Sequence, residues 1–402
     1  MEDLTAGAPP ARLGLAVSGG SDSMALLQLA CAWAAPRDVS LSVATVDHGL
    51  RAGAKDEAAL VGEICAGLGL QHSVLEWRWE GQGNLQDAAR DGRRQRLADW
   101  ARAGGIGAVL LGHTADDQAE TVLMRLARGS GVDGLCGMEA VTETEGVRWW
   151  RPLLDQRRAA LRAWLSAGGH RWAEDPSNAD PRFDRVRARE MLEALGDLGL
   201  TVDRLTRTAE HMRAARLTLE KAAAEFVAKH VTEEDGDLMI GRAGLEQREG
   251  DTLWRVLAEA VRWIGGGHYR PRFDALRFFL DRAMEGRPAT LGGCLAVPAS
   301  DGALRFMREA GAVGAPVPYR AGMVWDGRWV IEGPEEEGLT VGALGDADLA
   351  QVDWRATGRP RAALAASPAL RANGQIVAVP SVDAGEWTAR IVAPFATRFV
   401  SR

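Results

Sequence analysis

The sequence predicts an α/β protein: a doubly wound parallel sheet, then a helical region, then a small mixed or mainly β C-terminal domain. Three observations carry this. Short aliphatic runs alternate with helical patterns through the first 150 residues. That alternation stops after Pro152, where charged helical stretches take over. Beyond about residue 265 the chain breaks into short strand-like runs separated by turns.

In order, residues 13–18, 39–46, 72–77 and 108–111 read as strands, and 22–33, 54–67, 85–103 and 115–127 as helices between them. Strand–helix alternation of this kind builds a parallel sheet covered on both faces. Ligands of such sheets bind at the carboxyl ends of the strands. Three polar stretches fall there: Ser18–Ser23, Asp47-His48 and Gly112-His113. "LLDQRRAALRAWLSAGG" reads as one further helix, followed by a Pro/Asn/Asp loop and an Arg-rich helix start. Residues 191–263 read as helical and charged, with a hinge at 265–268, and "GMVWDGRWVIEG" and "GQIVAVPSV" as strands with turns. The expected parts are a catalytic domain over 1–195, a helical region over 196–264 and a C-terminal domain over 265–402.

The composition narrows the class. With 402 residues, 46% apolar and 26% charged, the chain has the make-up of a water-exposed globular protein of two or three domains. No apolar run reaches the roughly 18 residues of a membrane span, and the opening "MEDLTAGAPPARLG" lacks the pattern of a secretory signal. A cytoplasmic setting is the expectation. Cys31, Cys65, Cys136 and Cys294 are scattered with no CxxC pair, which argues against zinc, an iron–sulfur cluster or a disulfide framework. The net charge of −7 argues against wholesale coating of nucleic acid but leaves room for a local basic surface. Nearly all cations are Arg; the lysines are Lys55, Lys221 and Lys229.

"SGGSDS" follows a strand and opens a helix. It lacks the Walker lysine and the dinucleotide spacing. Two glycines admit close backbone approach, and helix-terminal amides suit an anion. An Asp among phosphate-binding amides makes sense if Mg²⁺ is bound as well. In "HTADDQAET", Asp117, Glu120, Thr121 and Met124 share one helix face, and Ala119, Val122, Leu123 and Leu126 the other. His113 and Asp116 sit at the helix start. Arg90 and Arg93 share a face of the preceding helix. Arg182, Arg185, Arg187 and Arg189 form a basic run suited to phosphate contact.

The set "SGGSDS", "VDHGLR", "NLQDAARDGRR", "LGHTADDQAETVLMRLARGSGVDGLCGM", "RPLL" and "DPSNADPRFDRVRAR" resembles, in this order, the PP-loop ATP pyrophosphatases and among them the tRNA(Ile)-lysidine synthetases. The resemblance covers about the first half of the chain; the second half is similar in outline. Thr114 stands where the family often has a second His, and Val186 where it has an Asn. An aromatic often lies near the place of Arg94.

The resemblance implies a PP-loop, Rossmann-like catalytic domain using ATP and Mg²⁺. The implied reaction joins free L-lysine to C2 of the wobble cytidine, position 34, of tRNA(Ile) with a CAU anticodon. It runs through an adenylated cytidine and yields lysidine, AMP and pyrophosphate. Asp22, His113, Asp117 and Glu120 would be catalytic, with Asp22 toward Mg²⁺ and Asp117 and Glu120 toward lysine. Ser18, Gly19, Gly20, Ser21, Asp22, Ser23, Asp47, His48, Arg90, Arg93 and His113 would bind ATP. Arg94, Arg151, Arg182, Arg185, Arg187 and Arg189 would contact tRNA, and the regions after 196 would add to that grip. Whether the chain acts as a homodimer stays open. Two rivals are a PP-loop tRNA thiolase, opposed by the missing CxxC, and a nucleotide-binding tRNA partner without turnover, opposed by the intact acid and His set.

Overall fold

The computed structural model describes residues 4, 9–49, 53–79, 81, 85–174, 182, 184–267, 269–382 and 385–399. Leu50 and Arg51 of "VDHGLR", Asn84 of "NLQDAARDGRR" and 175–181 and 183 of the Asp/Pro motif lie outside them. The chain divides into two compact units, Met1–Arg216 and Leu217–Arg402.

The first unit is built on a six-stranded sheet in the order β3-β2-β1-β4-β6-β5. Its strands are β1 (Arg12–Ala16), β2 (Ser40–Asp47), β3 (Gln71–Glu76), β4 (Ala108–Leu111), β5 (Val141–Thr144) and β6 (Val147–Trp150). All neighbours run parallel except β5 on β6. Central β1 is buried at four of its five positions, whereas edge strand β3 alternates. A strand covered on both faces needs a continuous apolar run, and "LGLA" supplies one.

Helix α1 (Ser21–Ala34) packs on one face, where Met24, Leu26 and Leu27 meet Leu13, Leu15, Val43 and Leu110. Each such fully buried leucine contributes about 1.5–3 kcal/mol relative to exposure. Helix α2 (Ala54–Gly67) adds Val61 and Cys65 to that core. Helix α3 (Leu85–Ala103) covers the other face, with Leu97, Ala98 and Ala101 against Ala16, Ala44, Val109 and Trp149. Both faces are thus closed, as expected of a doubly wound sheet. Connections from β1 run toward β2 and β3 on one side, while β4 lies on its other side. The crevice beyond the ends of β1 and β4 is therefore a topological switch point, where ligands of such folds bind.

The hairpin β5–β6 was not expected from the sequence. Glu145 and Gly146 both take positive φ (58° and 70°), the two-residue turn that pairs strands tightly. The helix α4 (Ala115–Ala127) buries Ala119 and Val122 against Leu192, Leu205 and Ala209. Leu126, expected on that apolar face, is half exposed. Further along lie α5 (Arg158–Ala167), α6 (Asp184–Ala194) and the long α7 (Val202–His230).

In the second unit a five-stranded antiparallel sheet, β7 (Val231–Glu234), β8 (Asp237–Ile240), β9 (Ala289–Leu291), β10 (Cys294–Pro298) and β11 (Leu304–Arg308), packs on α8 (Asp251–Gly265) and α9 (Phe273–Met284). Strands β7 and β8 fall inside the stretch expected to be wholly helical. Asp235 and Gly236, at φ 47° and 81°, turn the chain there. Two smaller sheets follow. One joins β12 (Val317–Pro318), β15 (Leu339–Ala343), β16 (Pro368–Ala372) and β17 (Gln375–Ala378); the other joins β13 (Met323–Trp325), β14 (Trp329–Glu332) and β18 (Thr388–Ile391). The mainly β C-terminal region expected from the sequence is present. Gly265 and Gly266, where a hinge was expected, end α8 within this unit. Residues 202–216 belong to the first compact unit and 217–264 to the second. Among the described residues, no helix is long and apolar enough to cross a membrane.

Candidate active site

The Ser18–Ser23 stretch leaves β1 and enters α1 without a side-chain cap on the helix. Its first amides are therefore left for an external anion. Gly19 takes φ +92°, which lets the loop fold back. Ser23 closes it from within: its hydroxyl donates to the Gly20 carbonyl at 3.0 Å and accepts from the Ser18 amide at 3.2 Å. Gly112, at the end of β4, lies against the same helix start. A Cβ there would sit 3.1 Å from the Asp22 carbonyl and from the Ser23 backbone.

From that strand end the chain passes His113 and enters α4 through Thr114, the N-cap. The Thr114 amide and hydroxyl both donate to Asp117 Oδ2, at 2.9 and 2.8 Å, and the Asp117 amide returns a bond to the Thr114 hydroxyl at 3.4 Å. This is a capping box, with Asp117 as its acidic member. The helices α4 and α5 dock at their starts: the Ala115 amide donates to the Gln156 carbonyl at 2.9 Å, and the Arg158 amide to Asp116 Oδ2 at 2.7 Å.

This docking brings Arg158 into the middle of the acids. Its Nε donates to Asp22 Oδ2 at 2.8 Å, Nη2 to Asp117 Oδ1 at 3.2 Å, and Nη1 lies 3.5 Å from Glu120 Oε1. Sequence reasoning missed this residue. A clue existed: an Arg in the first turn of a helix opposes the macrodipole and calls for acidic partners. Helix α6 contributes Arg189, whose Nε donates to Glu120 Oε1 at 3.1 Å, and Arg185, 3.7 Å from Asp117 Oδ1. The structure thus gathers Asp22, Asp117 and Glu120 with Arg158, Arg185 and Arg189. Arg162 of α5 adds a bond to the Ser21 hydroxyl at 3.1 Å.

The electrostatics separate the acids. Burial pushes Asp22 above the usual carboxylate range against the pull of Arg158. Burial and neighbouring Asp117 push Glu120 up as well. Burial acts upward on Asp117 too, but Arg158, His113, the Thr114 amide and Arg185 together hold it low. Burial holds His113 well below its ordinary value despite Asp117, and Arg151, Arg185 and Arg93 reinforce the effect. Burial thus favours the neutral imidazole, and among the described residues its buried Nδ1 has no hydrogen-bond partner.

The remaining expected residues are distributed around this centre. Asp47 Oδ1 accepts from the Gly49 amide at 2.8 Å, shaping the turn at the end of β2. The His48 ring meets Trp77 edge-on at 5.8 Å. Arg151 donates to the Glu139 carbonyl at 2.8 Å and to Thr142 at 3.2 Å, and burial with Arg94 and Arg90 nearby lowers it to about 10. Arg94 bonds Thr144 and lies over the Trp149 ring. Arg90 is exposed and Arg93 half-buried; burial and Arg185 lower Arg93. Arg187 pairs with Asp184 on the exposed side of α6, and Arg182 is exposed.

Among the described residues no three His, Cys, Asp or Glu side chains form a metal cluster. The donor set at the loop suits a divalent ion in another way. Asp22 offers one carboxylate beside three serine hydroxyls, which matches Mg²⁺ held by one or two carboxylates plus substrate phosphates.

Comparison with known proteins shows the family of the chain. A family described as a PP-loop domain matches residues 1–195. The tRNA(Ile)-lysidine synthase of Ruegeria pomeroyi is 46% identical over 387 residues, covering 95% of this chain and 92% of that protein. That of Methylobacterium sp. is 41% identical over 324 residues, 79% of this chain and 92% of that protein. A solved U34-tRNA thiolase from Methanococcus maripaludis superposes at a TM-score of 0.44 with 16% identity, over 50% of this chain and 72% of that one.

Proposed function

Because the chain belongs to the tRNA(Ile)-lysidine synthase family, we propose that its first unit adenylates the C2 oxygen of the wobble cytidine of CAU-anticodon tRNA(Ile) and then transfers free lysine to C2. The observation that carries this reading is the convergence of Asp22, Asp117 and Glu120 beside an uncapped helix start. An anion site and a site for a cationic amine thus adjoin, as a reaction between ATP, an RNA base and lysine requires.

In the first step the ATP phosphates lie on Ser18, Gly19, Gly20, Ser21 and Ser23, with the helix amides facing the leaving pyrophosphate. Fixed donors aimed at developing charge are the strongest kind of catalysis such a loop offers. Asp22 would hold Mg²⁺, and the ion would supply further neutralisation of that charge. Asp47 and His48, on the neighbouring strand end, border the nucleoside. Arg90 and Arg93 face phosphate, and neutral His113 offers a polar ring without adding charge.

In the second step Asp117 and Glu120 receive the lysine ammonium. Its unperturbed pKa of about 10.4 means that a proton must leave before attack. The amine lone pair then attacks C2, and the C2–O bond breaks with its electrons going to AMP. Arg94, Arg151, Arg182, Arg185, Arg187 and Arg189 contact the RNA backbone, and the second unit extends that grip. We place the reaction in the cytoplasm, where tRNA and ATP meet.

The test is a tRNA(Ile) transcript incubated with ATP, Mg²⁺ and isotopically labelled lysine. Labelled lysidine at position 34, dependent on ATP, is the expected result. Sulfur incorporation, or nucleotide binding without product, would overturn the reading.

A further inference from the structure

We propose that Glu120, and not Asp117, takes the proton from the attacking amine, while Thr114 fixes Asp117 as a permanent anion that orients that amine. The proposal rests on the lysine-transfer reading above.

The two acids stand three residues apart on α4 and are occupied differently. Asp117 has no oxygen to spare: Oδ2 accepts twice from Thr114, and Oδ1 faces Arg158 at 3.2 Å and Arg185 at 3.7 Å. Glu120 is only 1% exposed, and its Oε1 alone receives Arg189 and Arg158, at 3.1 and 3.5 Å. Among the described residues its Oε2 is buried with no hydrogen-bond partner. A buried carboxylate oxygen left without a donor is destabilising, most of all when charged, so such an atom calls for a bound donor. An ammonium N–H meets that demand.

The charges facing Glu120 come from three elements: Asp117 on its own helix, Arg158 from α5, and Arg185 and Arg189 from α6. Burial and Asp117 raise its proton affinity, and the arginines only partly offset this. A base with raised affinity takes a proton more readily than one held low, and Asp117 is held low. The step balances: the O–H bond forms at Glu120 as the ammonium N–H breaks, the freed pair bonds to C2, and AMP departs with the C2–O electrons. The proton on Glu120 then passes to solvent.

The experiment uses the full chain, tRNA(Ile) adenylated in the absence of lysine, and labelled lysine added afterwards. The transfer rate is followed from pH 5 to 9, with lysine-independent pyrophosphate release as the control for folding. Glu120 must be ionised to act, so the wild-type rate should fall as pH drops through its raised value. E120Q should slow transfer at saturating lysine by about 10²-fold and abolish that acid limb. D117N and T114V should raise the KM for lysine and keep the limb, moved to lower pH in D117N because a charge that raises Glu120 is gone. Should E120Q lose pyrophosphate release, E120D is the substitute, and should retain the limb at a lowered rate. A limb abolished by D117N, or surviving in E120Q, would overturn the assignment. Absence of any lysidine from the wild type would instead overturn the function itself.

Discussion

Arg158 Nε donates to Asp22 Oδ2 at 2.8 Å, joining the start of α5 to the start of α1 across 136 residues of sequence. The same guanidinium meets Asp117 and Glu120. One cation thus organises three buried or half-buried acids, and its own proton is held more tightly for it.

Removing that cation should destabilise the protein in a pH-dependent way. In Arg158→Met the acids lose their common partner, and stripping one member from a buried ion pair costs about 3–5 kcal/mol. Their proton affinities should rise. As pH falls they take up protons and the repulsion is relieved, so the deficit against wild type should shrink. Thermal unfolding at pH 7 and pH 5 checks this; a deficit that grows at pH 5 would refute it.

Asp22→Asn tests the loop. The fold should persist, and pyrophosphate release should fall by about 10²–10³-fold, the range for losing one electrostatic stabiliser. Near-normal turnover at saturating Mg²⁺ would remove Asp22 from the metal.

Gly112→Ala probes the contact between β4 and the loop. The new Cβ would press on the Asp22 carbonyl and the Ser23 backbone at 3.1 Å, neither of which is a flexible side-chain end. Overpacking of this kind costs about 1–3 kcal/mol. The KM for ATP should rise, measured by pyrophosphate exchange. An unchanged KM would show that the helix start is not the nucleotide site.

Removing the residues after Arg216 tests the second unit. The cut spares Leu205 and Ala209, which pack on α4, and Arg213 and Arg216, which hold Glu139 at 3.3 and 2.7 Å. ATP binding should survive while the KM for tRNA rises sharply. In the full chain, replacing Arg270, Arg272 and Arg277 by Ala should flatten the salt dependence by about 0.7–0.9 in log–log slope for each lost phosphate contact. Unchanged KM and slope would exclude that unit as the RNA grip.

The first unit was legible because its signals are local. The apolar runs of β1, β2 and β4 lie within single stretches, and α3 and α4 follow their expected bounds. The loop and the acids of α4 were legible for the same reason. Arg158 was not, because its meaning comes from α5 docking on α4, a tertiary event. Thr114 was seen as a departure from the family, but its capping box depends on a rotamer no pattern reveals. The strands β7 and β8 were hidden because "VTEEDGDLMI" is charged and sits between two helices. Its turn residues, Asp235 and Gly236, were the available clue.

All the chemistry assigned above lies at the carboxyl ends of the parallel strands, which leaves their amino ends for instrumentation. There the loops entering β2, β3 and β4 carry exposed positions such as Asp38, Leu68 and Gly105. Five residues of β1, at about 3.3 Å each, set these ends roughly 16 Å from the Ser18–Ser23 loop. Of the four native thiols, Cys65, Cys136 and Cys294 are buried and Cys31 is partly covered. A cysteine introduced at Asp38 is thus a selective point of attachment for a dye or a surface tether. Through it the arrival of RNA and the release of AMP can be timed on single molecules without a label touching any reacting group.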